Sequence, residues 1–168
     1  MKKEKKLTLS LFIVYLIILT WIILFKMQFS IEGLPHFRGF NLIPFGDSVI
    51  INGKIDFDEI INNMIAFVPV GVYVSMLRPN WSFLKKVLPA FGISFFYEIL
   101  QFILSIGATD ITDLLSNTMG GIVGICFAFL AARLLKNRAG MVLNILAAAG
   151  TVCLIGFMFL LLIFNFGT

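Results

Sequence analysis

The chain has 168 residues, of which 60% are hydrophobic and only 13% are charged, and its mean hydropathy is +1.01. A soluble domain of this length could not cover so much apolar side chain with polar surface, so the composition excludes that class and indicates an integral membrane protein. The formal net charge of +4 comes with no basic patch interleaved with aromatic residues, which argues against nucleic acid as a partner.

Five apolar stretches are each close to the roughly 20 residues that a helix needs to cross the hydrocarbon core of a bilayer. The sequence therefore predicts an all-α integral membrane protein, a bundle of five transmembrane helices. Four of them, within residues 7–132, form the main membrane domain, and the fifth packs on the same bundle. In chain order the spans are Leu7–Phe25, Glu59–Leu77, Val87–Ser105, Leu114–Ala132 and Met141–Phe164.

Lysine and arginine predict the orientation, because cytoplasmic loops carry an excess of both. Ten of the thirteen basic residues fall in three segments that the spans place on one side: Lys2, Lys3, Lys5 and Lys6; Arg78, Lys85 and Lys86; Arg133, Lys136 and Arg138. We therefore expect the N-terminus to be cytoplasmic and the C-terminus to be external, in a multi-pass protein of a cytoplasmic membrane.

The longest connection, residues 26–58, is predicted to be external, yet its segment 37–45 is apolar and contains Gly39 and Pro44 as helix breakers. Irregular backbone at membrane depth is tolerated only against protein or water. We expect this segment to lie in the interface or to fold back onto the bundle.

Polar side chains recur on one face of each of three spans, assuming about 100° per residue. In span three they are Ser94, Glu98, Gln101 and Ser105. In span four they are Asp110, Asp113 and Asn117, in line with a small-residue ladder at Gly120, Gly124, Ala128 and Ala132 that predicts close packing against protein. In span two the stripe is Glu59, Asn62, Ala66, Pro69 and Tyr73.

All three polar stripes lie in the outer half of the predicted membrane domain. Because a carboxylate at the centre of a span costs about 2.5–3.5 kcal/mol, we interpret them as one pocket that opens to the exterior. A structural interpretation remains for part of the set: Asp110 or Thr112 is suited to cap span four, Asp113 to favour its positive N-terminus, and the amides to join helices. The candidate ligand-binding residues are Glu98, Gln101, Asp110, Asp113, Asn117, Asn63 and Asn62.

The order and spacing of these residues resemble the VanZ-like family of bacterial membrane proteins, over about Leu7 to Ala132. The resemblance adds Asn41 to the candidates and implies a link to low-level resistance to teicoplanin-type glycopeptide antibiotics, but no reaction. Where the family often has an arginine shortly before the first aspartate, this chain has Gly107-Ala108-Thr109. The matching elements are Asn41-Leu42-Ile43-Pro44-Phe45, Asn63, Phe67-x-Pro69-x-Gly71, Glu98-x-x-Gln101 and Asp110-x-x-Asp113-x-x-x-Asn117-x-x-Gly120.

Binding or modulation of a cell-envelope amphiphile, such as a membrane lipid or a lipid-linked cell-wall precursor, is the function we favour. An enzyme on such a substrate is the alternative, through a carboxylate pair at Glu98 and Asp113 or through Mg²⁺. No nucleophile–base motif supports catalysis, and we predict no cofactor or metal. A transporter is less favoured because the polar residues stop in the outer half, and a structural partner of another membrane protein remains open.

Overall fold

The computed structural model describes residues 2–28, 37–44, 50–51, 54–55 and 57–166. Most of them are helical, and a 3₁₀ turn at Lys136–Arg138 joins the last two helices. Much of the connection 26–58 lies outside the described residues. The α-helices of the described residues are α1 (Lys2–Ile23), α2 (Asp58–Leu77), α3 (Phe83–Leu104), α4 (Ile111–Leu135) and α5 (Ala139–Phe166).

Four helical segments of the described chain are long and apolar enough to cross a membrane. The last of them, Ile111–Phe164, contains both α4 and α5, because only the short 3₁₀ turn separates the two. The predicted membrane-protein class and largely α-helical fold are thus confirmed. Several helices begin earlier than the predicted spans, most clearly α1 and α3, because backbone hydrogen bonding continues into lysine-bearing turns beyond the apolar stretch.

Two small sheets are additions that the predicted all-α fold lacks. Strand β1 (Phe37–Asn41) pairs in parallel with β4 (Ile106–Asp110), and β2 (Ile50–Ile51) forms an antiparallel pair with β3 (Lys54–Ile55). The apolar segment 37–45 was expected to lie in the interface or to fold back onto the bundle. Residues 37–41 fold back, since they pair with the connection between α3 and α4. The register sets Asn41 opposite Asp110.

Backbone contact between α2 and α4 forms the centre of the bundle. A Cβ atom at Gly120 would lie 2.1 Å from the carbonyl oxygen of Met64, and one at Gly124 would lie 1.9 Å from that of Val68. These positions have no room for a side chain, and Ala128 is buried, so the predicted ladder is confirmed as a packing surface at these three residues. Its last member, Ala132, is exposed. The later glycine of α4, Gly124, meets the later residue of α2, Val68, so the two helices run parallel.

The buried face of α2 is rotated from the predicted one. It contains Phe67, Val70, Gly71, Tyr73 and Val74, whereas Glu59 and Asn62 of the predicted stripe are exposed. The fit of the α2 backbone onto the glycines of α4 determines this rotation, and it brings Asn63 rather than Asn62 toward α4.

Helices α1, α3 and α5 surround the α2–α4 pair. Tyr15 of α1 donates a hydrogen bond to the Ala66 carbonyl of α2, and Thr20 of α1 is 2.9 Å from the Tyr97 hydroxyl of α3. Thr8 of α1 bonds to Asn144 of α5 over 2.9 Å. Because Thr8 and Asn144 both lie near the start of their helices, α1 and α5 begin at the same end of the bundle.

Replacement of Gly124 by alanine tests the α2–α4 contact. The added methyl group would force the helices apart, and overpacking of this kind typically costs about 1–3 kcal/mol. We expect a Gly124→Ala variant to show a clearly lower melting temperature in detergent, followed by size-exclusion chromatography after heating.

Gly92→Ala is the matched control, because no atom lies within 4 Å of a Cβ at Gly92 of α3. Its stability should equal or slightly exceed that of the parent, since alanine favours helix. Equal stability of the two variants would contradict the close α2–α4 packing.

Candidate functional site

Glu98 lies inside the bundle near the end of α3 and is only 3% exposed. One carboxylate oxygen, Oε2, accepts a hydrogen bond of 2.8 Å from the backbone N–H of Asp110. The chain returns to Glu98 because α3 ends at Ser105, whose left-handed conformation (φ 59°) turns the backbone into β4. Thr109 adds a 3.2 Å hydrogen bond to the Glu98 carbonyl, so the end of β4 is attached to α3 at two points.

Asp110 joins the start of α4 to β1. Its Oδ1 accepts from the Thr112 backbone N–H at 2.8 Å, so the expected capping role is observed. Its Oδ2 accepts from the Asn41 side-chain amide at 3.1 Å. Asn41, a candidate on the strength of the resemblance alone, is brought to the cluster by the parallel pairing of β1 with β4.

Asp113 joins α4 to α2. Its Oδ1 accepts a 2.7 Å hydrogen bond from the side-chain amide of Asn63. Asn63 directly precedes Met64, whose carbonyl meets Gly120 of α4. Asn62, the other amide predicted for this site, is exposed and outside this contact. The two neighbouring asparagines therefore differ in their relation to Asp113.

Gln101 and Asn117 are buried, at 4% and 1% exposure. In each, the side-chain amide nitrogen forms a hydrogen bond with a described residue, but the amide oxygen does not. The Gln101 Nε2 donates to the Ile23 carbonyl of α1 at 3.3 Å, and the Asn117 Nδ2 donates to Ser94 Oγ of α3 at 2.9 Å. No described group donates to Gln101 Oε1 or Asn117 Oδ1. A buried acceptor without a donor costs about 1–3 kcal/mol.

The polar cluster, defined as Asn41, Asn63, Glu98, Gln101, Asp110, Asp113 and Asn117, lies where α3, α4, β1 and β4 meet, with α1 and α2 beside it. Neither Glu98 nor Asp113 has a described cation within 4.0 Å, and the nearest described ion pair, Lys26 to Glu59 at 4.0 Å, is half exposed at its edge. Among the residues with described positions, no three acidic, histidine or cysteine side chains form a group suited to a metal ion. Because three of its side chains are carboxylates and the others are amides, the cluster is rich in hydrogen-bond acceptors.

Sequence reasoning did not identify the contributions of the backbone. The N–H of Asp110, the carbonyl of Ile23 and the side chain of Thr109 all help to hold the cluster. No side-chain pattern indicates the first two, because they depend on how the chain turns between α3 and α4 and on how α1 packs against α3.

The family model described as VanZ/LLP1 matches residues 12–135. Protein VanZ of Enterococcus faecium is 39% identical over 123 residues, which are 72% of this chain and 73% of that protein. No solved structure matches the chain.

The matched region contains every residue of the polar cluster. The resemblance drawn from the motifs is confirmed, and the chain belongs to the VanZ/LLP1 family.

Proposed function

We propose that this protein binds a cell-envelope amphiphile, with the head group of the ligand in the polar cluster, and that this binding lowers susceptibility to glycopeptide antibiotics. The observation that carries the proposal is the pair of buried acceptors without donors, Gln101 Oε1 and Asn117 Oδ1. The antibiotic phenotype comes from the family, whose namesake is associated with teicoplanin resistance.

The excess of acceptors defines the chemistry of the ligand. The carboxylates of Glu98 and Asp113 have no described cation within 4.0 Å, and the two amide oxygens lie close to them along α3 and α4. A ligand that supplies hydrogen-bond donors, such as sugar hydroxyls or an ammonium group, would satisfy these acceptors. Hydrogen bonds to charged groups contribute roughly 1.5–3 kcal/mol each, so a few of them suffice for selective binding.

Apolar side chains beside the cluster support an amphiphile rather than a free sugar. Phe40, Leu42 and Ile43 adjoin Asn41 and are 65–71% exposed. The ring of Phe40 packs on Phe102 of α3, with 4.5 Å between centroids. An acyl or prenyl chain along this rim would continue from a head group held in the polar cluster.

We propose that five spans cross a bacterial cytoplasmic membrane. In this orientation the N-terminus is cytoplasmic and the polar cluster lies near the outer surface. The distribution of lysine and arginine supports this arrangement, as does the common starting end of α1 and α5. The cluster would then face the compartment in which glycopeptides act.

Removal of one unpaired acceptor separates ligand binding from structural support. A Gln101→Leu variant loses Oε1, so its retention of the native ligand should fall by roughly tenfold or more. Its thermal stability without ligand should change little, because removal of the unsatisfied Oε1 offsets the loss of the Nε2 hydrogen bond to the Ile23 carbonyl. Native mass spectrometry of protein extracted with its own lipids measures the first quantity, and thermal unfolding after delipidation measures the second.

A loss of stability with unchanged ligand retention would assign Gln101 a structural role and overturn the proposal at that residue. A change in mass of the retained amphiphile during incubation with the protein would instead indicate catalysis.

Adjacent asparagines provide a matched pair for the phenotype. Asn63→Ala removes the hydrogen bond to Asp113, whereas Asn62→Ala changes an exposed side chain outside that contact. In a susceptible host that expresses the protein, Asn63→Ala should return the teicoplanin inhibitory concentration toward the empty-vector value, and Asn62→Ala should keep the parental value. Membrane levels of both variants, compared by immunoblot, must be equal. Equal antibiotic responses at equal levels would contradict the role of the cluster.

Cysteine labelling tests the proposed orientation. In a background without Cys126 and Cys153, Gln28→Cys should react with a membrane-impermeant maleimide in intact spheroplasts. Asn137→Cys, in the turn between α4 and α5, should react only after permeabilisation. The reverse pattern would invert the orientation and move the cluster to the cytoplasmic side.

A further inference from the structure

A groove between α5 and helices α2 and α4, extending from the end of the bundle opposite the polar cluster, has the features of a second lipid site. It contains a cavity of about 620 Å³ near the starts of α1, α3 and α5, and a second cavity of about 270 Å³ farther along α5. Leu143 lines both cavities, so the two are adjacent. No residue of the polar cluster lines either of them.

The groove has buried residues at its base and exposed residues at its edges. Leu143, Asn144 and Ala128 are buried. Phe129 on α4 and Leu146 on α5, which line the first and second cavity respectively, are 67% and 56% exposed. An open side facing the surface of the bundle lets a membrane lipid enter laterally.

The larger cavity has a mostly apolar lining, but it also contains basic side chains. Lys5 and Lys86 line it against a single carboxylate, that of Glu4. Lys86 is half-buried in the first turn of α3, and no described carboxylate lies within 4.0 Å of its ammonium group. The lining therefore has a net positive charge, which favours an anionic ligand.

Uncharged polar groups of the same cavity are suited to hold a phosphodiester. Thr8 and Asn144 are 3% and 5% exposed and lie 2.9 Å apart. The hydroxyl oxygen of Ser75 is buried and has no hydrogen-bond partner among the described residues. This hydroxyl can donate to a phosphate oxygen that Lys86 also contacts.

The smaller cavity is apolar and suits an acyl chain. Val68, Phe127, Leu146 and Leu154 line it, and Gly150 leaves space on α5, where no atom lies within 4 Å of an added Cβ. A cavity that contains basic side chains and adjoins an apolar cavity matches the two parts of a phospholipid. Basic pockets between transmembrane helices are a recognised form of anionic-lipid site.

We propose that this groove binds an anionic phospholipid of the surrounding bilayer, with its phosphate near Lys86 and Ser75 and one acyl chain along Gly150. The site is independent of the polar cluster, because the two lie at opposite ends of the bundle and share no residue. A bound lipid there would connect α5 to the remaining helices.

The head-group half of the proposal is tested by native mass spectrometry of the delipidated full-length protein. The protein is titrated with dioleoyl phosphatidylglycerol or with dioleoyl phosphatidylcholine. The parent should bind phosphatidylglycerol about fivefold more tightly, the effect of a basic side chain at an anionic lipid. Lys86→Ala should remove that preference. Lys85→Ala, which changes the adjacent lysine outside the cavity lining, should keep it. An equal loss in both variants, or no preference in the parent, would overturn the proposal.

Gly150→Phe tests the acyl-chain half by filling the smaller cavity, with Gly156→Phe on the same helix, outside the lining of both cavities, as its control. The first should weaken binding of both lipids, and the second should leave it unchanged. Parental binding by Gly150→Phe would overturn the assignment. None of these substitutions touches the polar cluster, so retention of the native amphiphile by Gln101 and Asn117 should be unaffected. Either proposal can therefore be contradicted without contradicting the other.

Discussion

The rest of the structure depends on the direct contact between the backbones of α2 and α4. Gly120 and Gly124 touch the carbonyl oxygens of Met64 and Val68, and the contact permits almost no change in depth or rotation. In lipid there is no hydrophobic driving force between helices, so close van der Waals packing has to supply the association. Beside this contact, the fixed rotation brings Asn63, the residue before Met64, to Asp113.

The polar cluster follows from that arrangement together with one turn of the chain. Ser105 ends α3 and sends the backbone through β4, so that the N–H of Asp110 reaches Glu98 and its side chain caps α4. Several of the costly polar groups thereby satisfy one another. The two acceptors that remain, on Gln101 and Asn117, are the reason to expect a ligand, because the folded protein has no described donor for either.

Much of this could be predicted from the sequence, for reasons that differ between elements. The membrane class follows from composition, and the packing face of α4 follows from the spacing of its glycines, both of which are local patterns. The predicted face of α2 was wrong at Glu59 and Asn62, because its rotation depends on where its backbone fits α4 rather than on its own polarity. The strands β1 and β4 were missed because five residues between helices have no distinguishing period, and their pairing joins segments far apart in the chain. Asn41 could be proposed from family resemblance, but only that pairing explains its contact with Asp110.

The central claim is that the polar cluster holds the donor-bearing head group of an amphiphile. The most direct test is an experimental structure of the protein extracted in its native lipids, at a resolution that shows side-chain amides. We expect head-group density within about 2.7–3.2 Å of Gln101 Oε1 and Asn117 Oδ1, the range of ordinary hydrogen bonds. Density for ordered water alone at both oxygens, or amides turned so that protein groups satisfy them, would contradict the account.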